Sequence, residues 1–344
     1  FMKQHFNSIT CTNETKAYCL LDQAACQQAQ DGMPRMNYAP ADPMLKWARE
    51  NGLKVRGHVL VWDAFMCDWF FREGYEKDAP YADRETMRAR TKSYIEQVMT
   101  HFEEKFPGTI YCWDVVNEAI GDHADEWDAS TEMHIRTIRS GVDNLFKTHL
   151  GDDYVPFSFL CAKDTVEKLG ADIKLFYNDY NMYYPWKRHS ALLLADAINH
   201  YAKDANGNWR KLCDGIGMQG YIGGYGKQQG CMDENDIPDI IESIRQYAEP
   251  GLEVHITEMA IRNYENDPAT LQKHADFCGK LYAAFRDVNT EEQKRLTCVA
   301  IWGVQDHPNI QGYGWRMNGP YCGLIDENYH PKASFDAVYA EMGK

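Results

Sequence analysis

Short apolar runs alternate with longer segments of helical periodicity along most of the chain. The clearest helical segment is 84–106, where apolar side chains recur at intervals of three and four: Tyr94, Ile95, Val98, Met99 and Phe102. Asp83 precedes this segment as a potential N-cap, and Pro107-Gly108 follows as a stop signal. The pattern therefore predicts a long helix with one face buried against a core.

The apolar runs are typical of strands buried on both faces. We predict strands at 6–10, 54–62, 110–116, 174–180, 215–219, 252–258 and 297–304. We predict helices at 43–52, 84–106, 132–149, 187–203, 236–248, 268–286 and 331–342. This alternation of strand and helix indicates a parallel sheet with helices outside it.

The strand number points to a closed α/β barrel with one member missing. A (β/α)8 TIM barrel needs eight strands, and the pattern supplies seven. We expect the first strand to lie upstream of Phe1, outside this sequence. No linker or repeat interrupts the pattern, so we predict a single catalytic domain over 1–344.

Composition and charge narrow the range of partners. The 344 residues are 44% hydrophobic and 25% charged, which excludes a disordered chain. Basic residues number 36 and acidic residues 51, a net charge of −15. Such a surface repels phosphate backbones and anionic lipid, so we expect no nucleic-acid or membrane partner. We also predict no obligate protein partner.

The eleven cysteines are scattered and form no C-x-x-C pair, so they predict neither a zinc ribbon nor a redox motif. The histidines are equally dispersed, and we predict no metal site. Many free thiols are easiest to keep in a reducing compartment, and no secretory signal is visible at Phe1. We expect a cytoplasmic location, with a secreted form as the alternative.

Two glutamates stand where predicted strands end. Glu118 follows the run Trp-Asp-Val-Val-Asn, and Glu258 closes the run His-Ile-Thr-Glu. Carboxylates at the carboxyl ends of barrel strands are usual catalytic positions. Two such carboxylates can cleave an acetal, one as proton donor and one as nucleophile. Taken singly, either glutamate could instead be a solvated loop residue.

The motifs together resemble those of glycoside hydrolase family 10, the retaining endo-β-1,4-xylanases, over nearly the whole chain. They are FNSIT with Asn13 and Lys16 following, KVRGHVLVW, WDVVNEA, YNDYN, DGIGMQG, ITEM, and AIWGV with a later Trp315-Arg316. The resemblance implies a (β/α)8 barrel, xylan or xylo-oligosaccharide as substrate, no cofactor, and retention at the anomeric carbon. It implies Glu118 as acid/base and Glu258 as nucleophile.

The resemblance also implies a substrate-binding set. Asn13, Lys16, His58 and Trp62 match positions that grip the sugar on the non-reducing side of the cut. Asn117 matches the residue that hydrogen-bonds the sugar 2-hydroxyl. The remaining matches are the ring-stacking Trp302 and Trp315, and the supporting Tyr177, Asn178 and Gln219.

Four departures from the family pattern leave the specificity open. Asp63-Ala64-Phe65 stands where the family has His-Ser-Gln, Tyr221 replaces a His, Ala260 an Asp, and Thr12 a Glu. We expect the Tyr221 hydroxyl to donate to Glu258 in place of the imidazole. The alternatives are a retaining β-glycosidase of other specificity, such as a β-glucanase or an aryl-β-xylosidase-like enzyme, and an inactive xylan-binding barrel.

Overall fold

The computed structural model describes residues 1–223, 232–290, 292–307 and 319–342. The chain divides into two compact units, which are described separately. The first unit comprises Phe1–Asn178 and His189–Gly215, and the second comprises Asp179–Arg188 and Ile216–Lys344. This division does not test the predicted single catalytic domain, which stays a prediction.

Every predicted strand is present, with ends that differ from the prediction by a few residues. The strands are β1 (Ser8–Thr10), β2 (Lys54–Val61), β3 (Ile110–Asn117), β4 (Ile138–Arg139), β5 (Val142–Asp143), β6 (Lys174–Asp179), β7 (Gly215–Ile222), β8 (Glu253–Ile261) and β9 (Leu296–Ile301). The helices are α1 (Met2–His5), α2 (Ala17–Leu20), α3 (Gln23–Gln28), α4 (Asp42–Glu50), α5 (Arg84–Lys105), α6 (Leu145–Leu150), α7 (Tyr154–Leu169), α8 (Pro185–Asn199), α9 (Asp236–Ala248), α10 (Pro268–Asp287) and α11 (Ala333–Met342).

The first unit is built on four parallel strands in the order β1, β2, β3, β6. All residues of β2 except Lys54 are buried, as expected for a parallel strand covered on both faces. Gly57 in β2 lies opposite Trp113 in β3, and a Cβ at Gly57 would overlap the Trp113 ring. A glycine in this strand is therefore a packing requirement.

Helix α5 begins and ends where the sequence predicts. The Asp83 carboxylate accepts a hydrogen bond from the backbone N–H of Thr86 at 2.8 Å, which satisfies one of the donors at the start of the helix. The helix ends at Lys105, just before Pro107 and Gly108, and Gly108 has a φ of +65°. Capping and stop residues therefore fixed both ends.

The predicted helix at 132–149 is wrong. Its middle is the hairpin of β4 and β5, and only Leu145–Leu150 is helical. Ser140 and Gly141 at the hairpin tip both have positive φ, at +49° and +79°, which an α-helix cannot accommodate. The apolar spacing of Ile135, Ile138 and Val142 fits a helix on paper, but the Ser-Gly turn decides the local structure. Helix α7 was not predicted from the sequence.

The second unit carries β7, β8 and β9, with β8 and β9 parallel and Ile256 opposite Val299. All residues of β7 are buried. Helix α10 is capped by the Asp267 carboxylate, which accepts from two backbone N–H groups of its first turn. This unit therefore combines parallel strands with helices, as the alternation predicts.

Two further features concern the described residues as a set. None of their helices combines the length and the apolar character that a bilayer crossing requires. All ten described cysteines are free thiols. Burial raises the pKa of Cys11, Cys161, Cys213 and Cys278 to about 12, so these four thiols are poor nucleophiles at neutral pH.

Candidate active site

Glu118 directly follows the last residue of β3 and is largely buried. Its backbone N–H donates to the carbonyl of Asn178 at 2.9 Å, and the Asn178 amide donates to Asn117 Oδ1 at 2.9 Å. Asn178 lies in β6, and its side chain and backbone carbonyl hold Asn117 and Glu118 at the end of the neighbouring strand, β3. The three residues that the sequence predicts here therefore lie together.

Glu258 lies near the end of β8, in the second unit. The Tyr221 hydroxyl donates to Glu258 Oε2 at 2.6 Å, and Tyr221 is 6% exposed. The hydrogen bond expected from the sequence is therefore present. A hydroxyl donor to a carboxylate stabilises the ionised form, which is the form a nucleophile needs.

Both glutamates share an unusual backbone. Glu118 has a φ of +55° and Glu258 a φ of +57°, in the left-handed region that non-glycine residues rarely adopt. Such strain, of order 1–3 kcal/mol at each residue, tends to persist at functional sites. Five other described non-glycine residues also have positive φ, but Glu118 and Glu258 are the two carboxylates among the seven.

Four predicted sugar-gripping residues belong to the first unit. Lys16 Nζ donates to Asn13 Oδ1 at 3.0 Å and lies 5.0 Å from the centre of the Trp62 ring. The rings of His58 and Trp62 pack in an edge-to-face arrangement, with ring centres 5.8 Å apart. The four residues therefore form one continuous cluster. Phe65, at a position of departure from the family pattern, adds a ring 4.5 Å from Lys16 Nζ.

His58 is oriented by a buried carboxylate that the sequence analysis missed. Asp114 Oδ2 contacts His58 Nδ1 at 2.9 Å, and Asp114 Oδ1 pairs with Arg56. A carboxylate only accepts, so this contact places a proton on Nδ1 and directs the other ring nitrogen, Nε2, away from Asp114. Burial opposes the charge of Asp114, but Arg56 and His58 outweigh it and hold the pKa of Asp114 below its ordinary value.

We expect the substitution Asp114→Asn to lower the free energy of unfolding by about 3–5 kcal/mol, because it removes the carboxylate charge that pairs with the buried guanidinium of Arg56. A carboxyl with a lowered pKa stabilises the fold above its ordinary pKa of 3.8 and loses that contribution as the pH falls below it. The difference between variant and wild type should therefore shrink below about pH 4. Denaturant unfolding at several pH values measures it.

The matched control is Asp164→Asn, which breaks an ion pair with Arg210 on a half-exposed carboxylate. Surface pairs contribute about 0–1 kcal/mol, so this variant should unfold close to wild type. Equal unfolding free energies for Asp114→Asn and Asp164→Asn would contradict the structural role of the buried pair.

The contact between Arg139 and Glu118 was also not predicted from the sequence. Arg139 lies in β4 of the hairpin, and its Nη1 donates to Glu118 Oε2 at 2.9 Å. Its guanidinium also makes a bidentate pair with Asp63, at 3.0 and 2.9 Å. The Ser140-Gly141 turn could have indicated the hairpin, but no sequence pattern indicates which residue its arginine contacts.

The remaining predicted residues have different placements. Tyr177 is fully buried, and its hydroxyl accepts from the backbone N–H of Ile120 at 3.1 Å, which suits a supporting role. Gln219 is buried in β7. Trp302 follows β9 and is half-buried, while Trp315 lies outside the described residues.

We expect Tyr221→Phe to lower kcat/KM by about 10- to 100-fold, because a hydrogen bond to a charged group contributes about 1.5–3 kcal/mol. The acidic limb of the kcat/KM profile should move to higher pH, since the Glu258 carboxylate loses a donor that favours its ionised form. Tyr247→Phe is the control, because the Tyr247 hydroxyl donates to the carbonyl of Met182 instead. An unchanged profile for Tyr221→Phe would remove the tuning role.

Comparisons with known proteins match nearly the whole chain to one family. The glycosyl hydrolase family 10 profile matches residues 1–341. A putative endo-1,4-β-xylanase of Caldicellulosiruptor saccharolyticus is 33% identical over 328 residues, covering 93% of this chain and 94% of that protein. Endo-1,4-β-xylanase B of Butyrivibrio fibrisolvens is 31% identical over 343 residues. That match covers 98% of this chain, which spans about half of that protein (48%).

Solved structures agree with the sequence comparison. The family 10 and CBM22-1 modules of Clostridium thermocellum xylanase 10B, crystallised with xylohexaose, superpose with a TM-score of 0.79 at 26% identity. The match covers 98% of this chain and 61% of that one. An intracellular xylanase of Thermoanaerobacterium saccharolyticum gives a TM-score of 0.73 at 25% identity. That match covers 98% of this chain and 88% of the other. The predicted (β/α)8 barrel class is confirmed, while the strand expected upstream of Phe1 stays a prediction.

Proposed function

The chain belongs to glycosyl hydrolase family 10, and on that premise we propose that it is a retaining endo-β-1,4-xylanase acting on xylan or xylo-oligosaccharides. The observation that carries the assignment to residues is the pair of glutamates, Glu118 directly after β3 and Glu258 in the last four residues of β8, each on left-handed backbone. We assign Glu118 as acid/base and Glu258 as nucleophile.

The first half-reaction breaks the glycosidic bond. The Glu258 carboxylate attacks the anomeric carbon while Glu118 gives its proton to the departing oxygen, and a covalent glycosyl-enzyme forms. The hydrogen bond from Tyr221 steadies the Glu258 carboxylate before attack. This arrangement supports nucleophilic catalysis because the donor fixes one carboxyl oxygen and its charge.

The second half-reaction releases the sugar. Glu118, now ionised, takes a proton from water, and the water oxygen attacks the anomeric carbon from the face that the leaving group occupied, which breaks the bond to Glu258 and frees its carboxylate. Two inversions give net retention. The same residue serves as acid and then as base, so its carboxyl must be held in a constant place through both steps.

The surrounding residues bind and orient the sugar. We propose that Asn117 hydrogen-bonds the 2-hydroxyl, a contact that strengthens as positive charge develops on the ring. Lys16 and Asn13, joined at 3.0 Å, would clamp hydroxyls on the non-reducing side. His58, with Nδ1 held by Asp114, would offer Nε2 to the sugar next to the cut. Trp62 adds a ring face for stacking beside this clamp.

Support for xylan as the substrate comes from the relatives named above, an endo-1,4-β-xylanase and a putative one, and from the neighbour crystallised with xylohexaose. The departures at Thr12, Asp63-Ala64-Phe65, Tyr221 and Ala260 make the test of specificity necessary. A direct test incubates the chain with xylan, with mixed-linkage β-glucan and with xylohexaose, and follows product length and anomer by NMR.

The expected outcome is short xylo-oligosaccharides from xylan, with the β-anomer appearing first. Faster cleavage of β-glucan would assign a different specificity to the same mechanism. Binding to xylan with no cleavage of any substrate would identify an inactive barrel. The α-anomer appearing first would overturn the double displacement.

Two expectations from the sequence stay predictions. A cytoplasmic location, with imported xylo-oligosaccharides as the substrate, is the first. The second is that the protein acts without an obligate protein partner.

A further inference from the structure

We infer that Arg139 is a positioning residue for the acid/base carboxyl, and that Asp63 is the partner that balances its charge. The inference rests on the role proposed above for Glu118. It adds to that role a device drawn from the hairpin of β4 and β5, which holds one oxygen of Glu118 through both half-reactions.

One guanidinium contacts both the side chain and the main chain of Glu118. Arg139 Nη1 donates to Glu118 Oε2 at 2.9 Å, and Nη2 donates to the Glu118 carbonyl oxygen at 3.1 Å. Because the guanidinium is planar and rigid, these two contacts together restrict the side-chain torsions of Glu118. We assign the other oxygen, Oε1, to proton transfer.

The charge of Arg139 would be a disadvantage if it stood alone. An unbalanced cation beside Glu118 favours the ionised carboxylate, whereas the first half-reaction needs the protonated one. The bidentate pair with Asp63 supplies the opposite charge, with Nε to Oδ2 at 3.0 Å and Nη2 to Oδ1 at 2.9 Å. Arg139 and Asp63 together therefore offer hydrogen-bond geometry with little net charge.

Burial makes this balance effective. The side chains of Asp63 and Glu118 are 7% and 10% exposed, and that of Arg139 is 21% exposed. Solvent screens charges at such positions less than at the surface. Arg136 also lies next to Glu118, where its Nε donates to the Glu118 carbonyl oxygen at 3.3 Å, and its Nη1 pairs with Glu126 at 2.6 Å.

The hairpin presents Arg139 from a fixed backbone. Ile138 pairs with Asp143 and Arg139 with Val142 across the two strands. The segment is anchored at its base, where Thr137 N–H donates to the Glu126 carbonyl at 2.7 Å and Asn144 N–H donates to the Thr137 carbonyl at 2.7 Å. A preorganised support of this kind is what precise placement of a carboxyl requires.

The test compares two substrates that differ in their need for an acid. Hydrolysis of xylotetraose needs a proton on the departing oxygen, whereas 2,4-dinitrophenyl β-xylobioside releases a stable anion without one. We expect Arg139→Met to lower kcat/KM for xylotetraose by about 10- to 100-fold, and for the dinitrophenyl substrate by less than about threefold. Arg139→Lys should recover part of the loss, and Asp63→Asn should show the same substrate dependence.

Controls separate this role from a structural one. Arg210→Met removes an arginine of similar exposure (18%) that pairs with Asp164 and Glu167, and should leave both substrates unaffected. Equal losses on both substrates in Arg139→Met and in Asp63→Asn would reduce the pair to a structural contact and overturn the inference. If Arg139→Met is too unstable to assay, Asp63→Asn decides, since it keeps the arginine in place.

Glu118→Ala is the reference that separates the two levels of proposal. If Glu118→Ala lacks the substrate dependence, the assignment of Glu118 as acid/base fails. If Glu118→Ala has it and Arg139→Met does not, the assignment stands and only the role of Arg139 fails.

Discussion

Replacing Glu258 with alanine is expected to lower kcat on xylan by at least about 10⁴-fold, in line with losses on removing a covalent nucleophile. The reason is chemical: without the carboxylate no glycosyl-enzyme can form, and the developing charge at the anomeric carbon loses its counter-charge. Initial rates on xylan and on an aryl β-xylobioside measure the loss. Both substrates should be affected, because both need the nucleophile.

A second variant at the same position separates chemistry from folding. Glu258 has a φ of +57°, so glycine there relieves the backbone while also removing the carboxylate. Glu258→Gly should therefore be inactive and unfold no more easily than Glu258→Ala. Glu265→Ala, which removes an exposed carboxylate a few residues further on, serves as the active control. Near-normal rates in Glu258→Ala would remove Glu258 from the mechanism.

Replacing Glu118 with alanine is expected to lower kcat on xylan by about 10²- to 10⁴-fold, the usual contribution of a general acid–base group. The loss should depend on the leaving group. With 2,4-dinitrophenyl β-xylobioside the first step needs no acid, so the glycosyl-enzyme should accumulate and give a burst of dinitrophenol. Stopped-flow absorbance follows the burst.

An added nucleophilic anion tests the role of Glu118 as the base in the second half-reaction. Azide attacks the glycosyl-enzyme without help from a base, so it should restore turnover of the dinitrophenyl substrate in Glu118→Ala and yield the β-xylobiosyl azide. Wild type and Glu85→Ala, which removes an exposed carboxylate of the same unit, should not respond to azide. A Glu118→Ala enzyme that stays slow on both substrates and ignores azide would argue against the acid/base role.

The strands and the chemical residues on them were predictable because both follow from local pattern. A parallel strand buried on both faces reads as a continuous apolar run, and a polar residue at its end stands out against that run. Glu118 after β3 and Glu258 in β8 are of this kind. Helix α5 was predictable for the same reason, since Asp83 caps it within its own segment.

What the sequence could not predict depends on contacts between distant segments. Asp114 reads as a strand residue like its neighbours, and only the folded unit places it against Arg56 and His58. Arg139 was assigned to a helix, because the apolar spacing around it satisfies helix and hairpin equally. Its contact with Asp63 joins residues 76 positions apart, which no local pattern records.

The Tyr221 contact lies between these cases. A missing histidine and a missing aspartate in the family pattern led to the expectation of a phenol donor, and the structure has that donor at 2.6 Å from Glu258. Nothing in apolar periodicity would have led to it. The prediction depended on the logic that a buried carboxylate which loses one hydrogen-bonding partner needs another.

The left-handed backbone at Glu118 and Glu258 has an evolutionary consequence. Glycine or asparagine at either position would relieve the backbone strain, so selection for stability alone favours replacement of the two glutamates. Only selection for turnover keeps glutamate there. In a descendant that is free from that selection, these two codons should therefore be among the first to change. The resulting protein would be more stable and would no longer cleave its substrate.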